Sequence, residues 1–225
     1  MFNIKNQIIM KKIILVLITL FTVSVFTPAF AQQTSKDIEK KLKQRSMKKA
    51  RKEAKMYKKD GYYVAIGALP MDIQLESAWF KQMETDEQGY PKYIVATGNS
   101  VSETQTAAKI QATETAKLEL AGTIATNVAA LIENNIATQQ LSTTEAAAVT
   151  KTVAASKNVI AQELGRVLPL VEMYKKIGED NIEANVRLAY DSKTATDIAK
   201  KAIRQKLEED TDILQDKLDK LMNFK

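Results

Sequence analysis

The sequence predicts an α+β fold: a small, three-stranded, mainly antiparallel sheet covered on one face by long helices, with helical extensions at both ends. Three observations carry this expectation. The chain has 225 residues but only 7 Gly and 4 Pro, too few for a β-sandwich or barrel that must turn every ten residues or so. Long stretches place apolar residues every three or four positions, the period of a helix. Three short stretches instead are β-rich or alternate apolar with polar, the period of a strand. Apolar residues make up 45% and charged residues 27%, a balance that supports a packed core over disorder.

The N-terminus looks like an address. Met10-Lys11-Lys12 precedes an apolar run from Ile13 to Phe26, followed by Thr27-Pro28-Ala29-Phe30-Ala31-Gln32. A basic start, an apolar stretch shorter than the roughly 20 residues of a membrane span, and small residues before a cut together predict a signal peptide, residues 1–31, cleaved after Ala31. The expected destination is the periplasm or cell envelope. There is no cysteine, so no lipid can be attached at the cut. Removing this segment leaves 30 basic and 27 acidic residues, and the excess is local: 12 basic and 4 acidic residues fall between Lys36 and Asp60. The basic character belongs to that segment.

Residues 32–60 form the basic extension. Its 35–59 portion lacks Gly and Pro, and Ile38, Leu42, Ala50, Ala54 and Tyr57 make a thin apolar stripe, so it is expected to be one helix. Residues 61–91 connect it to the main domain through the β-favouring Tyr62–Ile66 and a helix over about 70–84, with Ile73, Trp79, Phe80 and Met83 as its bulky apolar positions. The main domain spans 92–205. It opens with a strand at Tyr93–Gly98. Next comes a long helix, capped at Ser102 or Thr104, with Ala112, Ala116, Leu120, Ile124, Val128, Leu131 and Ile132 as its core stripe. A second helix over about 143–164, capped by Ser142 or Thr143, buries Ala146, Val149, Val153, Ile160 and Leu164. Leu170–Ile177 and Ile182–Tyr190 then form a hairpin about Gly178-Glu179-Asp180-Asn181. In its second strand Glu183, Asn185, Arg187 and Ala189 alternate with apolar residues, which predicts one buried and one mostly wet face. A last helix of about 30 residues starts at Asp191 or Ser192. Its acidic end, residues 206–225, carries Leu207, Leu214, Leu218 and Leu221 and is expected to project beyond the domain.

Ala96-Thr97-Gly98, the alanine-rich helix with Lys117-Leu118-Glu119-Leu120-Ala121, and the strand pair ending in Ala189-Tyr190-Asp191 resemble the LPP20-like domain of bacterial exported lipoproteins and flagellar-associated proteins. The resemblance covers about residues 90–205. It implies an envelope-associated domain without known catalysis that serves in assembly or interaction. The lipoprotein's acylated cysteine is absent here, so lipid tethering does not carry over, and the family offers no functional residues to transfer.

The chemistry is bounded by what is missing. Without Cys or His the chain has no thiolate nucleophile, no Cys/His zinc site, no His- or Cys-ligated haem and no Ser-His-Asp triad. Ser46-Met47-Lys48-Lys49 matches S-x-x-K, but its partner motifs are missing and the serine sits among lysines. Asp72 and Glu76 share a helix face, a pattern far more often solvated than catalytic. The acids from Glu208 to Asp219 lack the glycine turn and spacing of an EF-hand. No cofactor and no metal is expected, and the protein is taken as a non-enzyme. The enzymatic alternative is an envelope hydrolase built on Glu76, Glu114 or Glu163, which requires two of them to converge.

The basic helix is the most distinctive feature. It is a solvated face, a contact for an anionic surface such as lipid headgroups, or a dock for the acidic C-terminal helix. Export argues against nucleic acid as partner. Tyr62, Tyr63, Trp79 and Phe80 cluster in a chain poor in aromatics, as a second small core or a groove. The expected interaction surface is Lys41, Arg45, Lys48, Lys49, Lys52, Tyr62, Trp79 and Phe80. The expected role is a non-enzymatic binding or assembly module that meets an envelope protein, itself or an anionic membrane surface.

Overall fold

The computed structural model describes residues 35–136, 141–211, 213 and 215–223. The expected signal peptide lies outside them, as does Leu214. The chain divides into two units, residues 1–38 and 39–225; the described part of the first is the opening turn of the leading helix. The elements run α1 (Ser35–Lys59), α2 (Met71–Met83), β1 (Tyr93–Ser102), α3 (Gln105–Ile136), α4 (Thr143–Ala155), α5 (Lys157–Glu163), β2 (Leu168–Ile177), β3 (Asn181–Asp191), α6 (Ser192–Asp210) and α7 (Gln215–Met222). The fold class is the expected α+β. Its three strands lie in the order β1-β3-β2 and every pairing is antiparallel.

β3 is the central strand. β1 pairs along it from Tyr93↔Asp191 to Ser102↔Ile182, so β1 continues past Gly98, where the sequence pattern ends. Asn99 and Ser100 have poor strand propensity, and pairing with β3 overrides it. β2 folds back on β3 through a tight turn whose first residue, Gly178, has φ 65°, a left-handed conformation that glycine adopts without a side-chain clash.

The first core lies between the sheet and α3. Thr104 is the cap: its hydroxyl accepts from the Ala107 N–H at 3.2 Å, and its carbonyl accepts from Ala108 at 3.0 Å. Ala108, Ala112 and Ala116 are fully buried against the strands. Gly98 allows that approach. A Cβ built on it would stand 2.0 Å from the Ala112 carbonyl oxygen and 2.5 Å from the Ala116 nitrogen, so backbone meets backbone with no room for a methyl group. Beyond the sheet, Leu120, Ile124, Val128 and Ile132 continue the stripe into Val149, Val153, Ile160 and Leu164 of the α4–α5 region.

The helix expected over 143–164 is two helices. Its start is a full capping box: Ser142 Oγ accepts from the Glu145 N–H, and the Glu145 carboxylate accepts from the Ser142 N–H. At Ser156 the backbone N–H turns to the Val153 carbonyl, three residues back, and the buried hydroxyl donates to the Thr152 carbonyl at 2.7 Å. The same hydroxyl-to-carbonyl bond at Thr113, Thr115, Thr126 and Thr150 leaves its helix unbroken; at Ser156 the helix turns where Val153 before it and Ile160 after it both pack into the first core.

The last helix is also interrupted. Thr211 is extended, with φ −139° and ψ 153°, and its hydroxyl donates to the Leu207 carbonyl at 2.6 Å. The chain folds back instead of projecting. Leu207, Leu218 and Leu221 are fully buried in the first core. Asn135 Nδ2 donates to the Leu221 carbonyl at 3.0 Å, and Lys217 Nζ reaches Glu145 at 2.7 Å. The leucine stripe wins over the acidic surface because the carboxylates stay outside while the apolar edge is covered.

The second sheet face, expected to be mostly wet, is covered by α1 and α2. Asn185, Arg187 and Ala189 are exposed by only 4%, 8% and 0%. A second core joins Ala50 and Ala54 of α1, Met71, Leu75 and Ala78 of α2, and Leu170, Val171, Met173 and Ala189 of the sheet. α2 therefore buries Met71, Gln74, Leu75 and Ala78, not the bulkier Ile73, Trp79, Phe80 and Met83. Gln74 fixes it in place, donating to the Leu69 carbonyl at 2.7 Å and accepting from the Glu172 N–H at 2.8 Å. Of the β-favouring stretch before α2, Tyr63 makes one bridge to Tyr174 of β2.

Two outcomes follow from these contacts. Gly98→Ala is expected to cost about 3 kcal/mol or more, because α3 must lift off β1. Gly61→Ala, with φ 89° but open space around it, is expected to cost about 1 kcal/mol. Urea midpoints of the two variants compare them directly. The Glu145 carboxyl is held down to about 2 from 4.5, first by the Lys217 ammonium and then by Ser142. Its contribution to stability is present above pH 4.5 and is lost as pH falls toward 2. Glu145→Gln should flatten that part of the stability–pH curve, and an acid limb as steep as the parent's would contradict the assignment.

Candidate functional site

α1 carries two different faces, and its sequence spaces both. Ser46, Ala50 and Ala54 are buried and Tyr57 is half-buried; they recur every three or four residues and lie on one side. Small side chains there remove little apolar surface from water. Ser46 is satisfied within its own helix, its hydroxyl donating to the Lys43 carbonyl at 2.9 Å.

The anchor is polar. Arg187 of β3 donates from Nη2 to Glu53 Oε1 at 2.8 Å, and Trp79 of α2 donates from Nε1 to Glu53 Oε2 at 2.6 Å. One carboxylate thus ties α1 to both the sheet and α2. The Arg187 and Glu53 side chains are only 9% and 19% exposed, so this pair is shielded from the solvent and salt that weaken surface pairs. Lys49 Nζ lies 4.1 Å from the Trp79 ring centroid, a cation–π contact over the same indole. Tyr57 and Tyr62 meet edge to face with centroids 5.1 Å apart. Burial, then the neighbouring Glu183 carboxylate, pushes the Tyr62 hydroxyl up to about 12.

The opposite side of α1 is a row of cations. Lys41, Arg45, Lys48, Lys52, Lys55 and Lys59 follow one another at intervals of four, three, four, three and four, and all are exposed. That alternation keeps them on one stripe along a helix of 25 residues, about 37 Å long. Among the described residues none of the six makes an ion pair. The acids at the other end of the chain behave differently. Glu208 and Asp219 pair with Arg204, and Glu209 and Asp210 pair with Lys206. The two terminal helices bury their apolar stripes in different cores on opposite sheet faces, so within the chain they do not dock on each other.

The structure separates the residues that sequence reasoning grouped. Lys41, Arg45, Lys48 and Lys52 fall on the exposed row. Lys49 leaves it for Trp79. Tyr62, Trp79 and Phe80 are half-buried, Tyr62 and Trp79 against the second core. Lys55 and Lys59 complete the row and were missed, although the alternating spacing was available in the sequence. Arg187 and Glu53 were missed as a pair, because nothing local joins β3 to α1.

The carboxylates of the hydrolase alternative do not converge. Glu76 is on α2, against the second sheet face, whereas Glu114 on α3 and Glu163 on α5 are exposed on the other side. Glu114 pairs with Lys117 at 2.9 Å. Among the described residues no group of three acids could hold a metal ion, and no helix is long and apolar enough to cross a membrane.

No family model matches the chain, nor does any curated protein or solved structure. A hollow of about 430 Å³ lies between α3, α4 and α5. Gly122, Ala125, Ala129, Ile132, Val149 and Val153 line it, and its rim mixes Glu119 and Glu133 with Lys157, which selects neither sign of charge.

Removing the carboxylate from the anchor leaves a buried guanidinium unpaired. Glu53→Ala is therefore expected to destabilise the protein by about 3 kcal/mol. The single tryptophan, Trp79, reports on it: its emission should shift to longer wavelength as α1 loosens. A variant with parent-like emission and denaturation midpoint would show that the clamp contributes nothing.

Proposed function

We propose that this is an exported, non-enzymatic binding or assembly module of the cell envelope, and that the cationic row of α1 is its contact with an anionic partner. The observation that carries the reading is the contrast along the chain. Glu208, Glu209, Asp210 and Asp219 of the last helices lie in ion pairs with Arg204 and Lys206, while among the described residues six cations in one line make no ion pair, on a helix held to the sheet by Glu53. Unsatisfied charge of one sign on a fixed support repels itself in the free protein. It is relieved by a surface of opposite sign. A held helix also presents its cations in register, so less side-chain and backbone freedom is lost on contact.

The resemblance to LPP20-like domains, which implies an assembly role, and the signal-peptide pattern at residues 1–31 support the envelope setting. The dispersal of Glu76, Glu114 and Glu163 favours binding over hydrolysis.

The test is charge reversal. A variant carrying Lys41→Glu, Arg45→Glu, Lys48→Glu and Lys52→Glu should keep its circular dichroism. Its binding to isolated envelope fractions should fall at least tenfold, and binding by the parent should weaken with salt. Undiminished binding by a folded variant would refute the row as the contact. N-terminal sequencing of the exported protein should begin at Gln32.

A further inference from the structure

We propose that the connection between α1 and α2 is a bilayer-docking tip, with Ile66 and Leu69 entering an anionic lipid surface whose headgroups the cationic row engages. The proposal rests on the reading of that row as a contact surface and names its partner.

The tip violates the usual placement of large apolar side chains. Ile66 is 107% exposed and Leu69 is 64% exposed, with Ile73 at 45% and Met56 at 58% close by in the chain. Single exposed apolar residues are ordinary; here Ile66 and Leu69 stand three residues apart on one short connection, with exposed Met56 and Ile73 in the helices at either end, a grouping of the kind that marks an interaction site. The exposure is built in. Tyr63 exchanges both backbone hydrogen bonds with Tyr174 on the edge of β2, each 2.8 Å long. The Ala68 N–H closes a turn onto the Ala65 carbonyl at 3.1 Å, Gly67 has φ 82°, and Gln74 holds the Leu69 carbonyl at 2.7 Å. Ala65 packs against the first core. Both ends of the connection are therefore tied down, and the side chain at its apex is turned outward by the backbone.

Charge complementarity selects the occupant. The row runs down α1 to Lys55 and Lys59, and Lys58 is exposed beside them, so the cations lead directly into the connection. Lys175 Nζ lies 5.5 Å from the Tyr62 ring centroid, at the base of the same connection. Asp60 and Asp72 flank the tip as well, and Glu183 lies beside Tyr62 across from Lys175; Lys55, Lys58, Lys59 and Lys175 outnumber these three acids. An apolar tip collared by cations matches the layering of an anionic bilayer, with acyl chains below and phosphates at the surface. An acidic protein surface offers the phosphates' charge but no oily layer beneath it.

The absence of cysteine makes the test direct. Ile66→Cys, carrying a polarity-sensitive dye, and Gln88→Cys on the exposed turn before β1, as control, are mixed with phosphatidylglycerol–phosphatidylcholine vesicles and with pure phosphatidylcholine vesicles. The dye at position 66 should shift to shorter wavelength with the anionic vesicles only, and the dye at 88 should not shift. The double variant Ile66→Ser and Leu69→Ser should co-sediment at least about tenfold less, since each buried side chain contributes roughly that factor. Its binding to dextran sulfate, a soluble polyanion, should stay at the parent's level. An unshifted dye, or undiminished sedimentation of the double variant, overturns the tip. Binding to dextran sulfate without binding to vesicles overturns the bilayer and leaves the row standing as a contact for a protein. Loss of both overturns the row as well.

Discussion

The structure depends on one close approach. α3 crosses the sheet where Gly98 leaves no side chain between the two backbones, and the Ala112 and Ala116 backbones occupy the space a Cβ would need. This sets the height of α3 over the strands, and the alanines at 108, 112 and 116 complete the contact. Larger residues farther along α3, from Leu120 to Ile132, then reach past the sheet to gather α4, α5, α6 and α7. A helix lying so low on a three-stranded sheet buries little area per residue but excludes water fully, and the wider packing beyond the sheet supplies the apolar area that alanine lacks.

The other sheet face is organised differently. It is covered by α2 and by α1, whose buried residues are a serine and two alanines with a half-buried tyrosine beside them, so the attachment of α1 relies on a shielded carboxylate shared between Arg187 and Trp79. An apolar anchor would have needed a wider stripe on α1 and left less of its circumference for lysines. A polar clamp fixes the helix with one residue. The remaining circumference carries a cation row that ends at an outward-facing apolar connection. The proposed binding role and the proposed bilayer contact both arise from that division of one helix between support and display.

How much of this was legible in the sequence depends on the range of the interaction. The caps were legible as pairs of candidates, Ser102 or Thr104, Ser142 or Thr143 and Asp191 or Ser192, because a cap acts within three or four residues; the structure chooses Thr104, Ser142 and Asp191. The hairpin at Gly178 was legible for the same reason. The helix interruptions at Ser156 and Thr211 were not, because each follows from where the next segment must pack. Ala189 and Arg187 alternated with apolar neighbours and so suggested a wet face; the pattern was real, but two helices from an earlier part of the chain occupy it. Of the candidate site, the cations were visible as a cluster. Which of them share a line, and which one turns to Trp79, depended on the buried side of α1.

The sequence by itself determined the element types, most of the caps, the apolar stripe of α3 and the antiparallel hairpin, because these depend on spacing along a few turns or strands. It also determined that cysteine and histidine chemistry is closed to this protein, since those side chains are absent. Only the tertiary structure decided that both sheet faces are covered, that the acidic tail returns to the first core, and that Glu53 meets Arg187. Those outcomes join residues far apart in the chain, through shared exclusion of water and, for Glu53 and Arg187, a shielded ion pair, neither of which a local pattern encodes.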